Sequence, residues 1–426
     1  MANTESIPVP QDSQGLLRLA QIFLVLAMAA LFLLSNLMLA TLGLNYEGAG
    51  GAAWQKIHPA SYLAILGLAF MVLRSGNPLR FVDELIARQP GVLILTVGVG
   101  ALLVFISLFI KGPVTQLIDT FVLPICLFVM LTRQSEPWLQ RAALFVHAFM
   151  ACNALLGLAE FLVGFRITPI IAEGIELTGD WRSSALLGHP LSNAALTALY
   201  AFMLVAGGGR DLPHPVVWVA LLLQVLAMAA FGGRTATGLF FLFAVPALCL
   251  AIWRFRGRFE VSPGSAAGLF ALALVALMAG VALVEAGFFD RFLMRFLEDQ
   301  GSAAARQSMF YLLDRLPAEN FLFGSDPELI ATLQRLEGIP FGIESFWIAF
   351  VANYGLVMSA LFFLTLFGFL RELNRNSAPA SLYAILMFIL ICSTSTSLAS
   401  KTASLAVFVT LTSILVRKPR PLSERG

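Results

Sequence analysis

Four residues at the edges of apolar runs carry the groups that could do chemistry in this chain. Arg182 and His189 lie in "GDWRSSALLGHPLSN", Arg234 in "AFGGRTATGLF" and Glu344 in "GIPFGIESFWIAF". An arginine in a glycine-bearing turn that leads into a helix combines a guanidinium, exposed amides and a helix dipole, a setting suited to phosphate. A carboxylate such as Glu344 can take the proton of an attacking hydroxyl, and an imidazole such as His189 can do the same. Each stretch also has a plainer reading. Pro190 fits the first turn of a helix that His189 merely precedes. Thr235 caps a helix while Arg234 reaches for the interface, and Glu344 rests at the positive end of a helix dipole.

The rest of the sequence says where such groups must sit. Of 426 residues, 59% are hydrophobic and only 12% charged, with a mean hydropathy of +0.85. No soluble domain covers that composition with polar surface, so the bilayer is the solvent. A net charge of +2 gives no basis for nucleic-acid binding. Cys126, Cys152, Cys249 and Cys392 stand singly in apolar runs, without metal or disulfide spacing, and read as small hydrophobes.

The polar, proline-bearing segment 1–16 reads as a disordered cytoplasmic tail. Apolar runs then follow near 17–40, 58–73, 91–110, 114–132, 142–163, 185–206, 214–231, 236–253 and 265–285. After a long loop, 286–343, come 345–369, 380–398 and 402–416, with a short tail at 417–426. The expected fold is an all-α polytopic membrane protein with about twelve transmembrane helices, or about eleven if the last two runs form one. Most basic residues of the short connections, among them Arg74, Arg80, Arg88, Arg133, Arg141, Arg210, Arg254, Arg371 and Arg417, fall on one side. The positive-inside rule makes that side, with both termini, cytoplasmic.

With this topology Asp119, Glu160, Arg234, Glu285 and Glu344 all fall near the outer ends of their helices, beside the long outer loop. Charge in lipid is costly and usually faces a cavity or a partner, so an outward-opening polar cavity is expected. Simple reach to the interface accounts for Glu285 and Asp119. The loop segment 288–316 reads as two amphipathic helices broken at Gly301, the second carrying Arg306 and with Ser302 as a candidate cap.

At these stretches the chain resembles the superfamily of O-antigen ligases and Wzy-type polysaccharide polymerases. The resemblance lies in Arg182 followed by "GHP", in the turn Gly233-Arg234-Thr235, and in a large loop before "ESFWIAFVANYG". It implies a membrane glycosyltransferase of GT-C-like architecture in the bacterial inner membrane, its loop periplasmic. Such an enzyme takes glycan from undecaprenyl diphosphate without metal, cofactor or nucleotide sugar. The resemblance further implies that Arg182 and Arg234, with Arg306 as a third cation, hold the diphosphate. Glu344, with His189 as alternative, would activate the acceptor hydroxyl, and inversion at the anomeric carbon follows. Implied partners are the lipid-linked oligosaccharide, a flippase and a chain-length regulator. Two departures stand out: ligases usually carry His where Glu344 stands, which favours a polymerase, and the usual Asn after the proline is Leu191, with Asn193 two residues on. Transfer of finished glycan to lipid A-core or protein is the alternative enzyme, and a lipid-linked sugar transporter the alternative outside that class. Against transport, the charges sit at one surface rather than at the midplane.

Overall fold

The structure is a computed structural model that describes residues 11–48, 50–168, 171–172, 175–176, 181–255, 302–339 and 342–418, with the isolated helical positions 274, 278, 281 and 285. The expected span at 265–285 and the first loop helix, with Arg291 and Arg295, therefore lie outside the described residues, and so does the side chain of Arg306.

The chain is helical and multi-pass. Helices run in the order α1 (Gln11–Leu33), α2 (Asn36–Thr41), α3 (Pro59–Arg74), α4 (Pro78–Arg88), α5 (Pro90–Phe105), α6 (Thr115–Leu117), α7 (Leu123–Thr132), α8 (Glu136–Val163), α9 (Pro190–Met203), α10 (His214–Phe231) and α11 (Arg234–Phe255). Then follow α12 (Ser302–Asp314), α13 (Ala318–Phe323), α14 (Pro327–Leu336), α15 (Phe346–Asn376), α16 (Ser381–Cys392) and α17 (Ser404–Leu415). Two short strands, β1 (Ile171–Ala172) and β2 (Ile175–Glu176), pair antiparallel between α8 and α9. Among the described residues seven helices are long and apolar enough to cross a membrane, or eight if the bent pair α3 and α4 is one span. Helix starts follow sequence signals: proline stands at the first turn of α3, α4, α5, α8, α9 and α10, where its missing N–H costs nothing.

Two expected boundaries are corrected. Helix α1 begins at Gln11, inside the segment read as a disordered tail, and the first run breaks at Leu34–Ser35. Ser35 then caps α2 by accepting from Met38 N–H at 3.2 Å.

The larger correction concerns the run 345–369, which is not one straight helix. Gly355 interrupts α15 at φ 77° and ψ 162°, a backbone conformation open essentially to glycine alone. The arm before it folds back on the helix after it. Phe346 meets Phe363 at 5.7 Å between ring centroids, and Phe350 stacks on Phe362 at 5.2 Å. Downstream, α15 lies antiparallel to α5, with Gly91 against Glu372 and Gly98 against Thr365; a Cβ on Gly98 would come within 2.1 Å of Thr365 Oγ1. Small residues at such crossings let helix backbones approach closely.

Polar residues pin the opposite end of the bundle, called here the Arg417 end. Buried Arg417 donates to Glu136 at 2.8 and 3.0 Å and to Asp211 at 2.9 and 3.0 Å, joining α8, the turn before α10 and the chain after α17. Two carboxylates on one guanidinium offset the desolvation that an isolated buried charge would suffer.

Candidate functional site

The segment 181–189 carries no regular secondary structure, so its backbone groups need partners elsewhere. Glu160, on the last turns of α8 and only 3% exposed, supplies two of them and reaches one more N–H outside the segment. Its carboxylate accepts from Ile167 N–H at 2.9 Å, Ser184 N–H at 2.8 Å and Ala185 N–H at 2.9 Å. Asn153, nearly two turns earlier, accepts from Leu186 N–H at 3.0 Å and donates to Asn193 at 2.8 Å. Asn193 in turn donates to the carbonyls of Ser184 and His189. Glu160 is thus no member of an open cavity: its oxygens are consumed in shaping the loop that presents Arg182 and His189. Arg166 adds a clamp, donating to Arg182 O at 2.8 Å and lying 4.3 Å over the Trp181 ring.

His189 is the N-cap residue of α9, but its side chain makes no capping bond. The residue is exposed, yet enough protein surrounds the imidazole that desolvation, and then the charge of Arg182, hold its pKa below the usual value. The neutral form can accept a proton, and Arg182 is close enough to influence it.

The Arg234 turn meets the same helix end. Gly232 closes α10 in the left-handed region at φ 67°, and Arg234 opens α11. A Cβ on Gly233 would come within 2.3 Å of the Ala194 Cβ on α9, so only glycine lets this turn settle there. Ser183 N–H also donates to Ala230 O at 3.2 Å. The loop bearing Arg182 and the turn bearing Arg234 therefore converge on the first turns of α9, where His189 stands.

Glu344 is placed differently from the expectation. It is exposed and stands two residues before α15, with Ser345 as N-cap residue. Because the arm folds back at Gly355, its start lies deep rather than at the helix end: Trp347 stacks against Phe367 at 6.0 Å. Residues 365 and 368 lie against Gly98 and Ile94, close to the middle of the apolar stretch Pro90–Ile110. Trp347 Nε1 also donates to Ser393 Oγ at 2.7 Å, just past the end of α16. With 12 residues each, α16 and α17 extend only ~18 Å and cannot cross a core of ~30 Å alone. The segment between them, "STSTSLASKTA", is half-buried and largely irregular. Irregular polar backbone at that depth requires either protein cover or a water-filled cavity. Since α16 packs on both α9 and α11, the Glu344 arm and the two arginine segments flank one helix.

A further polar centre was not foreseen. Asp119, expected to reach the interface, is wholly buried. It accepts from Tyr46 Oη at 2.8 Å, His58 N–H at 3.0 Å and Ser61 Oγ at 2.6 Å. The Lys401 ammonium lies 3.4 Å over the Tyr46 ring, and Thr120 ties on the Ser/Thr segment by donating to Ser400 O at 3.1 Å. The backbone at Ile118–Val122 is a π-helical turn that interrupts the span at Asp119. A lone Asp in an apolar run was the only sequence signal, and its partners come from the loop at Tyr46 and the start of α3, far away in the chain.

Glu285 is helical and exposed, as a residue reaching for the interface would be. Helix α12 starts at Ser302 and carries Arg306, as expected; α13 and α14 complete the loop. Met309, Leu312, Ile330 and Leu333 of that loop pack on Ile348, Ala349 and Ala352 of the folded-back arm. Among the described residues no three His, Cys, Asp or Glu side chains cluster as metal ligands. No protein-family profile, no curated protein and no solved structure matches the chain.

Proposed function

We propose that this protein is a membrane glycosyltransferase that polymerises oligosaccharide repeat units carried on undecaprenyl diphosphate. The observation that carries the reading is the convergence of the Arg182 loop and the Arg234 turn on the end of α9 that His189 precedes. Breaking a C1–O bond to a diphosphate builds negative charge on the leaving group. Two guanidiniums held toward the leaving group would stabilise that charge. Glu344, exposed at the root of the folded-back arm, takes the proton of the acceptor hydroxyl, with His189 as the alternative base. Attack from the face opposite the diphosphate inverts the anomeric carbon. Arg306 is a third cation available from the loop.

The site faces the periplasm and the Arg417 end faces the cytoplasm, as the distribution of Lys and Arg supports. In a cysteine-free background, Glu328→Cys then reacts with an impermeant thiol reagent in spheroplasts, and Arg80→Cys reacts only after lysis. The reverse pattern would invert the orientation.

Transport is the second reading, and one observation favours it. The break at Gly355 puts Glu344 near mid-depth, which removes the argument that all the ionisable groups lie at one surface. Purified protein in liposomes with lipid-linked repeat units separates the readings. A ladder of lengthened lipid-linked glycan supports polymerisation, glycan on lipid A-core or protein supports the ligase variant, and translocation without new bonds supports transport.

A further inference from the structure

The Arg417 end holds a feature with no part in that chemistry. A hollow of about 280 Å³ opens there between helices, lined by Glu84, Arg88, Gln89, Thr132, Arg133 and Asn376. It adjoins a second hollow of about 230 Å³ that shares Thr132 and Asn376 and adds Lys418. Beside it runs α4, bent 105° away from α3. Phe81 faces inward beneath the Arg133 guanidinium, 4.1 Å from the ring centroid. Leu79, Val82 and Ile86, spaced three and four apart, form an exposed apolar stripe, while Arg80, Glu84 and Arg88 form a charged one on the opposite side of the helix. Such a helix lies along a bilayer interface rather than across it.

Within the hollow, Arg88 and Arg133 face a single carboxylate, Glu84, which stands 3.8 Å from Arg133. Gln89 is 7% exposed and, among the described residues, its Oε1 has no partner. Its orientation is fixed by chemistry: Thr132 Oγ1 donates to Phe128 O at 3.0 Å, so it must accept from Gln89 Nε2 at 2.8 Å. Oε1 therefore points away as a buried acceptor in need of a donor. Cations for a phosphate and an acceptor for a hydroxyl, on a helix whose opposite face is apolar and rests on acyl chains, describe one ligand class.

We propose that this hollow binds the headgroup of an anionic, hydroxylated glycerophospholipid at the level where α4 meets the bilayer: the phosphodiester on Arg88 and Arg133, and a headgroup hydroxyl donating to Gln89 Oε1.

Native mass spectrometry of the purified protein with phosphatidylglycerol, phosphatidic acid or phosphatidylcholine tests it. The unmodified protein should retain phosphatidylglycerol about tenfold over phosphatidylcholine. Arg88→Gln with Arg133→Gln should abolish that preference, and the exposed Arg80→Gln should leave it. Gln89→Leu should keep phosphatidic acid binding but lose the advantage of phosphatidylglycerol over it, which misfolding would not do. Equal retention of phosphatidylglycerol and phosphatidylcholine, or an undiminished preference in the double variant, would overturn the site. Displacement of bound phosphatidylglycerol by millimolar inorganic phosphate would reassign it to a soluble anion and overturn the lipid.

Discussion

Trp347 stacks against Phe367 with ring centroids 6.0 Å apart, although an unbroken helix would hold residues 347 and 367 about 30 Å apart. Everything about the placement of Glu344 follows from that pairing, and the pairing follows from Gly355. A Cβ there would come 2.4 Å from Gly324 N and 2.5 Å from Leu322 O, at a φ of +77°. Gly355→Ala should lower stability by roughly 2 kcal/mol or more, from strain and displacement together. Thermal unfolding in detergent checks this against Gly238→Ala, whose Cβ meets nothing within 4 Å. Equal melting of the two variants would mean the fold-back does not depend on glycine.

Glu344→Gln keeps the size of the side chain and removes the base. Turnover of lipid-linked repeat units should fall by ~100-fold or more while donor binding persists. Because Glu344 is exposed, protein level should hold. Full-length polymer at the normal rate would pass the role to His189.

Arg182→Lys and Arg234→Lys retain charge but lose the planar fork that grips two phosphate oxygens. Each should weaken donor binding several-fold or more, measured by filter retention of a radiolabelled lipid diphosphate. A side chain that only anchors at an interface would tolerate lysine, so two near-normal variants would remove the clamp.

His189 gives a pH test with a defined sign. Its pKa is lowered by desolvation first and by Arg182 second. Below about 6.5 the unfolded chain takes up a proton that folded His189 resists. Its contribution to stability is therefore full above that pH, declines as pH falls, and levels off below the folded pKa. Arg182→Gln should raise the value only in part, since desolvation remains. Histidine-selective NMR titration reads it directly, and an unchanged midpoint would separate the two residues.

Glu160→Gln leaves one carbonyl oxygen where two carboxylate oxygens serve three backbone N–H groups. The cost should be on the order of 2–4 kcal/mol, felt mainly in the loop that bears Arg182. Faster tryptic cleavage at Arg166 and Arg182, with α-helix content retained, is the expected result.

Most of the helical architecture was legible in the sequence because apolar length and breakers state it directly. The runs near 91–110, 142–163 and 214–231 correspond to α5, α8 and α10. The fold-back was not legible. "FWIAFVANYGLVMSALFF" reads as one continuous apolar helix, and glycine is common in such helices. Only the backbone angles of Gly355 separate a bend from a reversal. Glu160 and Asp119 were seen as charges near helix ends, but hydropathy cannot tell a carboxylate facing a cavity from one filled with backbone amides. Asn193, which looked like a displaced motif residue, instead ties the His189 and Ser184 carbonyls together.

Helix α17 is buried along nearly its whole length, with Leu405, Ala406, Phe408, Val409, Leu411 and Ile414 at 0% exposure, and it packs against α7, α8 and α9. It is also made after the sixteen other helices named here. Until it arrives, the sides of three earlier helices that face it lack this neighbour, so the bundle cannot close before Leu415 is made. A nascent chain halted before Ser404 would present an open central groove to lipid and to quality-control proteases. The bundle's central strut is therefore made after the helices it holds together.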